Sequence, residues 1–162
     1  MKRTILTKWL LLAAVTLCSA ACDDDKNDFG ADRVAGTYQG TVSLTVMGQD
    51  QGSSALEAVV AAESATSVSI TLTGDSESAS PMSIKKIPLT GIGATTADGT
   101  VYTLAKNIPE EGYTVTDEES KVNWKITSFA GTVEGDEAAI EMVAQPGAMP
   151  MGITMKFTGT KQ

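Results

Sequence analysis

A chain of 162 residues with 20 acidic and 12 basic side chains carries a formal net charge of −8, which disfavours nucleic acid and anionic lipid headgroups as partners. There is no histidine and there are two cysteines, so the commonest general base and transition-metal ligand is missing and a framework of several disulfides is excluded. The length suits one domain with a proper core.

In chain order, Lys2, Arg3 and Lys8 flank an apolar run from Trp9 to Leu17, the basic and apolar regions of a secretory signal. The run is shorter than the roughly 20 apolar residues of a spanning helix, and Asp23, Asp24 and Asp25 forbid an extension. Ser19, Ala20 and Ala21 before Cys22 resemble the lipobox of bacterial lipoproteins, with Ser19 where that motif usually has leucine. The resemblance implies a signal peptide over residues 1–21 and acylation of Cys22, each buried methylene adding about 0.8 kcal/mol to membrane attachment. An ordinary secreted protein is the alternative reading of Cys22.

Residues 22–33 are acidic, polar and patternless, and read as a lipid-anchored tether. Their aspartates resemble the export signal of surface-exposed lipoproteins in some Gram-negative bacteria. The implied location is the outer membrane on its cell-surface side, with a periplasm-facing anchor as the alternative.

From Val34 onward apolar and polar residues alternate, the pattern of half-buried strands. Tyr38, Val42, Leu44 and Val46 share one face, as do Val68, Ile70 and Leu72, then Val122, Trp124 and Ile126, and finally Met151, Ile153, Met155 and Phe157. Weaker strands fit residues 82–89, 100–106 and 138–144. Turn signals separate them at Gly48 to Gly52, Gly74-Asp75, Asp98-Gly99, Pro109 to Gly112, Gly135-Asp136 and Pro146-Gly147.

Residues 53–64 admit two readings: a short helix with Ser54 and Glu57 at capping-box spacing, or the return strand of a hairpin, which their place between two clear strands favours. Counting them as a strand gives about eight strands and no long helix. The expected fold is all-β, an antiparallel up-and-down barrel, with a β-sandwich as the alternative. An even meander can pair its last strand with its first, and Gly36, Gly40, Gly152 and Gly159 on those two strands permit the coiling that closure needs.

The opening VAGTYQGTVSLTV and the closing MGITMKFTGTKQ together resemble small bacterial lipoproteins with a calycin-like, lipocalin-like β-barrel spanning residues 34–162. Calycins carry glycine, one residue and tryptophan on the first strand; here Gly36-Thr37-Tyr38 stands at that place, with tyrosine for tryptophan. By position the basic residue that the family packs across this aromatic is Lys156 or Lys161, neither of them the usual arginine.

No constellation points to catalysis. There is no Gly-x-Ser-x-Gly motif, and Asp117-Glu118-Glu119 and Glu134 to Glu137 match no calcium-loop spacing, so both runs read as solvated turns. Met82, Met142, Met149, Met151 and Met155 could ligate Cu(I), but their company of apolar residues reads as adaptable lining. The expectation is therefore a non-enzymatic binding module, without cofactor or metal, that holds a small, mainly apolar ligand in the barrel. Tyr38, Trp124, Met151, Met155 and Phe157 are the candidate lining residues. The alternative is an accessory or inhibitor-like interaction protein that uses the barrel as a scaffold for loops, its acidic turns facing an envelope protein partner.

Overall fold

The computed structural model describes residues 30–75, 77 and 82–162. The expected signal peptide, Cys22 and most of the tether lie outside the described residues. No helix among the described residues is long and apolar enough to cross a membrane.

Nine antiparallel strands follow a short 3-10 turn at Ala31–Val34: β1 (Gly36–Val46), β2 (Gln49–Ser64), β3 (Ser67–Thr73), β4 (Lys86–Thr96), β5 (Val101–Ala105), β6 (Tyr113–Thr116), β7 (Asn123–Glu134), β8 (Glu137–Pro146) and β9 (Ile153–Lys161). They form one sheet in the order β5-β4-β3-β2-β1-β9-β8-β7-β6, and β5 also pairs with β7. Eight strands thus close into a barrel and β6 is the extra one. The first and last strands pair as expected, Val42 opposite Phe157 and Leu44 opposite Met155.

The period-2 pattern explains these strands, and its breaks explain where the sequence reading stopped short. In β7 the buried positions are Trp124 and Ile126, then Phe129 and Val133. A register shift between Ile126 and Ser128 moves the inward face by one residue. In β4 the buried positions change from Ile87 and Leu89 to Ile92 and Ala94 across a similar irregularity. Residues 53–64 are strand, with Leu56, Ala58 and Val60 buried in alternation within β2 and Leu56 opposite Gly40.

Closure demands glycine where β1 and β9 cross. Gly40 and Gly159 are direct partners, and a Cβ on Gly40 would stand 1.9 Å from the Thr158 carbonyl oxygen. Only a residue without a side chain allows backbones so close.

The interior is filled by apolar side chains, among them Trp124, Ile70, Leu72, Ile87, Leu104 and Met155, none more than 1% exposed. One end of the barrel, here the lower, is closed by the N-terminal 3-10 turn. Ala31 N donates to the Ala65 carbonyl at 2.9 Å, and the Tyr38 hydroxyl donates to the Val34 carbonyl at 2.9 Å. Lys161, not Lys156, takes the position beside the aromatic: its Nζ is 6.0 Å from the Tyr38 ring centroid and 3.4 Å from the Arg33 carbonyl that accepts from it. Lys156 points outward to an ion pair with Glu141 at 3.1 Å.

Above its pairing with β5, which involves only Gly93 to Thr96, β4 runs beside β6 without a backbone ladder. Pro88 on that stretch has no N–H to offer. Side chains close the seam: Lys106 Nζ donates to the Thr90 carbonyl at 2.6 Å and lies 4.3 Å from the Tyr113 ring centroid.

At its upper end the seam is held by Asp117. The reading of the 117–119 run as a solvated turn holds for Glu118 and Glu119, which are exposed, and is corrected for Asp117, which is fully buried. One carboxylate oxygen accepts from the backbone N–H groups of Lys85 and Lys86 at 2.9 and 3.0 Å. The other accepts from Glu119 and Ser120 at 3.0 and 2.8 Å. Burial pushes its pKa up, but these backbone donors more than offset that and leave it below the ordinary value. The run at 134–137 is an exposed hairpin turn, as expected.

Candidate functional site: the barrel mouth

The upper end is open on one side because the β1–β2 hairpin extends beyond β3. Its upper pairs run to Thr45 opposite Asp50 and Val46 opposite Gln49, while β3 ends at Thr73. The inward face of the hairpin therefore meets the 74–85 loop rather than another strand. That loop is pinched at its neck: Gly74 N donates to the Lys85 carbonyl at 3.0 Å, and a Cβ on Gly74 would stand 2.2 Å from the Ile84 carbonyl oxygen.

Between hairpin and loop lies a cavity of about 200 Å³ whose apolar wall is Val42, Leu44, Leu56, Met82 and Ile84, with Gln51, Ser53 and Ser54 among its polar lining. This is smaller than the roughly 300–1,000 Å³ of a site for a drug-sized molecule. It has room for a small molecule or for one end of a longer one. Its apolar walls lie beneath a polar lip that also carries Asp75. Among the described residues no three histidine, cysteine or carboxylate side chains come together to hold a metal ion.

The structure distributes the candidate lining residues unequally. Met155 and Phe157 are buried in β9, directly across from the cavity residues Leu44 and Val42. Trp124 is buried on β7, a wall that carries no residue of the cavity lining. Tyr38 is at the lower end and its hydroxyl is used by Val34; burial, then the charge of Asp136, holds its pKa above the ordinary value.

Met151 departs from the inward face assigned to it. It is 37% exposed and precedes β9 in the loop after Pro146, so the alternation begins only at Ile153. Leu56, Met82 and Ile84 are not among the five candidate lining residues, although Met82 is one of the methionines read as adaptable lining. Leu56 was hidden by the helix-or-strand ambiguity, and the other two acquire their role only through the fold of the 74–85 loop. Rim exposure extends to Met47 at the hairpin tip, 80% exposed and at a φ of 51° that L-residues seldom adopt.

Two buried polar side-chain atoms among the described residues have no hydrogen-bond partner, Tyr102 Oη and Trp124 Nε1. Open depressions on the outer wall, one of about 380 Å³ across Gly40 and Gly159 and one of about 400 Å³ across Gly131, mark where the strands carry no side chain.

Among solved structures, a proposed outer membrane protein of Bacteroides fragilis is similar in fold, with a TM-score of 0.66 and 23% sequence identity over 81% of this chain and 52% of that one. The chain thus spans about half the length of that structure. A redesigned β-barrel gives a TM-score of 0.42 at 12% identity, over 82% of this chain and 95% of the other. No curated protein matches the chain. A family model described as a calycin-like beta-barrel domain matches residues 34–160, the closed barrel but for Lys161 together with the last residue of its lower plug, and the chain belongs to that family.

Proposed function

We propose that this protein is a non-catalytic, lipid-anchored envelope module, attached through acylated Cys22 at the cell-surface side of the outer membrane, that holds a small, mainly apolar ligand at the mouth of its barrel. The observation that carries the reading is the cavity walled by Val42, Leu44, Leu56, Met82 and Ile84. An apolar recess open at one rim of an otherwise packed barrel is what a carrier of this architecture requires. The acidic surface and the lipobox-like residues before Cys22 support an envelope location.

Native mass spectrometry after incubation with a lipid and metabolite extract tests the binding. A discrete added mass is expected, and it disappears in Ser54→Trp, which fills the recess from its exposed lip. A clean unliganded mass with every extract overturns the carrier reading. Labelling with a palmitate analogue, lost in Cys22→Ser, tests the anchor.

The second reading, an interaction protein with the barrel as scaffold, has one observation in its favour: Met47 holds an exposed thioether at a hairpin tip in a strained conformation. Loss of a co-purifying envelope protein in Met47→Gly would support it.

A further inference from the structure

Besides the seam between β4 and β6, the wall of the barrel is interrupted beside β2. The Gly74 N–H points to β4, where it donates to the Lys85 carbonyl, so by the alternation along a strand the backbone groups of Thr73 point to β2 and meet Glu57. Earlier in β2 the N–H and C=O of Ala55 and Ser53 point the same way, because the register with β1 is unbroken from Glu57 to Ser53. Among the described residues no strand pairs with β2 on that side above Glu57. Concavities lie on both faces of the gap, the recess of about 200 Å³ within and a depression of about 360 Å³ outside, and both are lined by Leu56, Gly74 and Asp75. Along β4 beside β6 the fold guards its free edge, with Pro88, with Lys106 on the Thr90 carbonyl and with Asp117 on the N–H groups of Lys85 and Lys86. From Ser53 to Leu56, β2 carries neither proline nor charge, the usual protections of an edge.

We infer that this gap takes an extended, basic peptide segment of a partner protein, added to β2 as a strand where β3 turns away, with one apolar side chain seated in the recess. The inference rests on the recess being the ligand site, as proposed above, and names the class of that ligand. Backbone bonds to Ser53 and Ala55 hold the segment, and its alternate side chains select it. The inward residues of this stretch of β2 are Ser54 and Leu56. A segment residue facing Ser54 therefore also points inward, toward the wall of Val42, Leu44, Met82 and Ile84. The recess is too small for a drug-sized molecule and suits a single side chain. Charge sets the flanks of the segment. Asp50 lies on β2 above the gap, and Glu57 and Asp75 border the outer depression, while the Lys85 ammonium donates to the Asp75 carbonyl at 2.9 Å. Three carboxylates stand against that one cation, which a basic segment complements. A second copy of the same edge would instead set these carboxylates against their own kind.

The probe is a blocked peptide of about eight residues, a central leucine among alternating threonines and valines with a lysine at each end, added to the full chain. Solvent-exchange NMR reads the backbone. The N–H groups of Ser53 and Ala55 should exchange quickly in the free protein and about tenfold more slowly at about ten times the Kd, since only the unbound fraction exchanges. Those of Ser54 and Leu56, turned to β1, should not change. Peptides with aspartate for the leucine, or with glutamates for the lysines, should bind at least about tenfold more weakly. Ala55→Pro removes an edge donor without touching the β1 ladder and should abolish the protection at Ser53 with circular dichroism unchanged. Should that variant not fold, the exchange measurement on the parent protein decides. Peptide binding without slowed exchange at Ser53 and Ala55, or equal binding of the glutamate-ended peptide, overturns the inference. n-Hexanol, read through the methyl signals of Leu56 and Met82, separates it from the carrier reading. Hexanol bound and peptide unbound removes the inference and leaves the carrier reading standing, whereas neither bound removes both.

Discussion

Replacing Asp117 by asparagine changes one heavy atom, and the structure gives a definite cost. Each carboxylate oxygen accepts from two backbone donors, Lys85 and Lys86 on one side and Glu119 and Ser120 on the other. An amide has one oxygen, so either orientation turns an N–H₂ group against two N–H donors and leaves all three unsatisfied. Two charge-assisted bonds vanish, each worth about 1.5–3 kcal/mol, and the surviving pair loses its charge. The expected destabilisation is about 3 kcal/mol, or a fall in Tm of about 10 °C for a domain of this size. Urea and thermal unfolding measure it, and amide hydrogen exchange at Lys85 and Lys86 localises it. Because the folded-state pKa of Asp117 lies below the ordinary value of 3.8, its contribution is complete above that value. It is lost as pH falls through the lower folded pKa, so parent and variant converge in acid. A Tm within 2 °C of the parent at pH 7 would refute the reasoning.

The neighbouring ion pair between Lys86 and Glu118, 2.7 Å long but with both side chains more than two-fifths exposed, contributes little, and Glu118→Gln should leave the midpoint of the same unfolding assay unchanged. Gly40→Ala places a methyl group against the Thr158 carbonyl and should cost about 3 kcal/mol or prevent barrel closure, seen as loss of the cooperative unfolding transition. Met47→Gly relieves a positive φ and should raise stability by about 1 kcal/mol with no change in circular dichroism. Tyr38→Phe loses the bond to Val34 at about 1 kcal/mol. Since the folded-state pKa of Tyr38 is raised above 10.0, the contribution from its neutral phenol is whole below pH 10 and disappears as pH rises through the folded value, so the variant should show a smaller alkaline loss of stability.

Much of the barrel was legible because alternation reports which face of a strand is buried, and β1, β3 and β9 show it without interruption from Tyr38, Val68 and Ile153 onward. Where a bulge moved the inward face by one residue, as after Ile126 and after Leu89, the pattern looked finished although the strand went on. β6 escaped notice because four residues, Tyr113–Thr116, are too few to display a period. Asp117 was misread for a different reason. An aspartate in an acidic run looks solvated until Lys85 and Lys86, more than thirty residues away, bring their N–H groups to it. The mouth was legible on its β1 side, where Val42 and Leu44 fall on the apolar face, and not on its loop side, since the recess exists only where the 74–85 loop folds beneath the hairpin.

The placement of the chain's entry into the barrel sets a direction. The described chain begins at the plugged end, with Gly30 and the Ala31–Val34 turn against β2, and the recess opens at the other. An acyl anchor at Cys22 would leave about eight residues of slack, at most roughly 30 Å when fully extended. The closed base would then sit nearest the lipid while the mouth points into the surrounding medium. Cargo would arrive from outside the cell or from a neighbouring protein rather than by partitioning directly out of the bilayer below. A delivery partner would approach from above, where Met47 and Met151 stand on the rim.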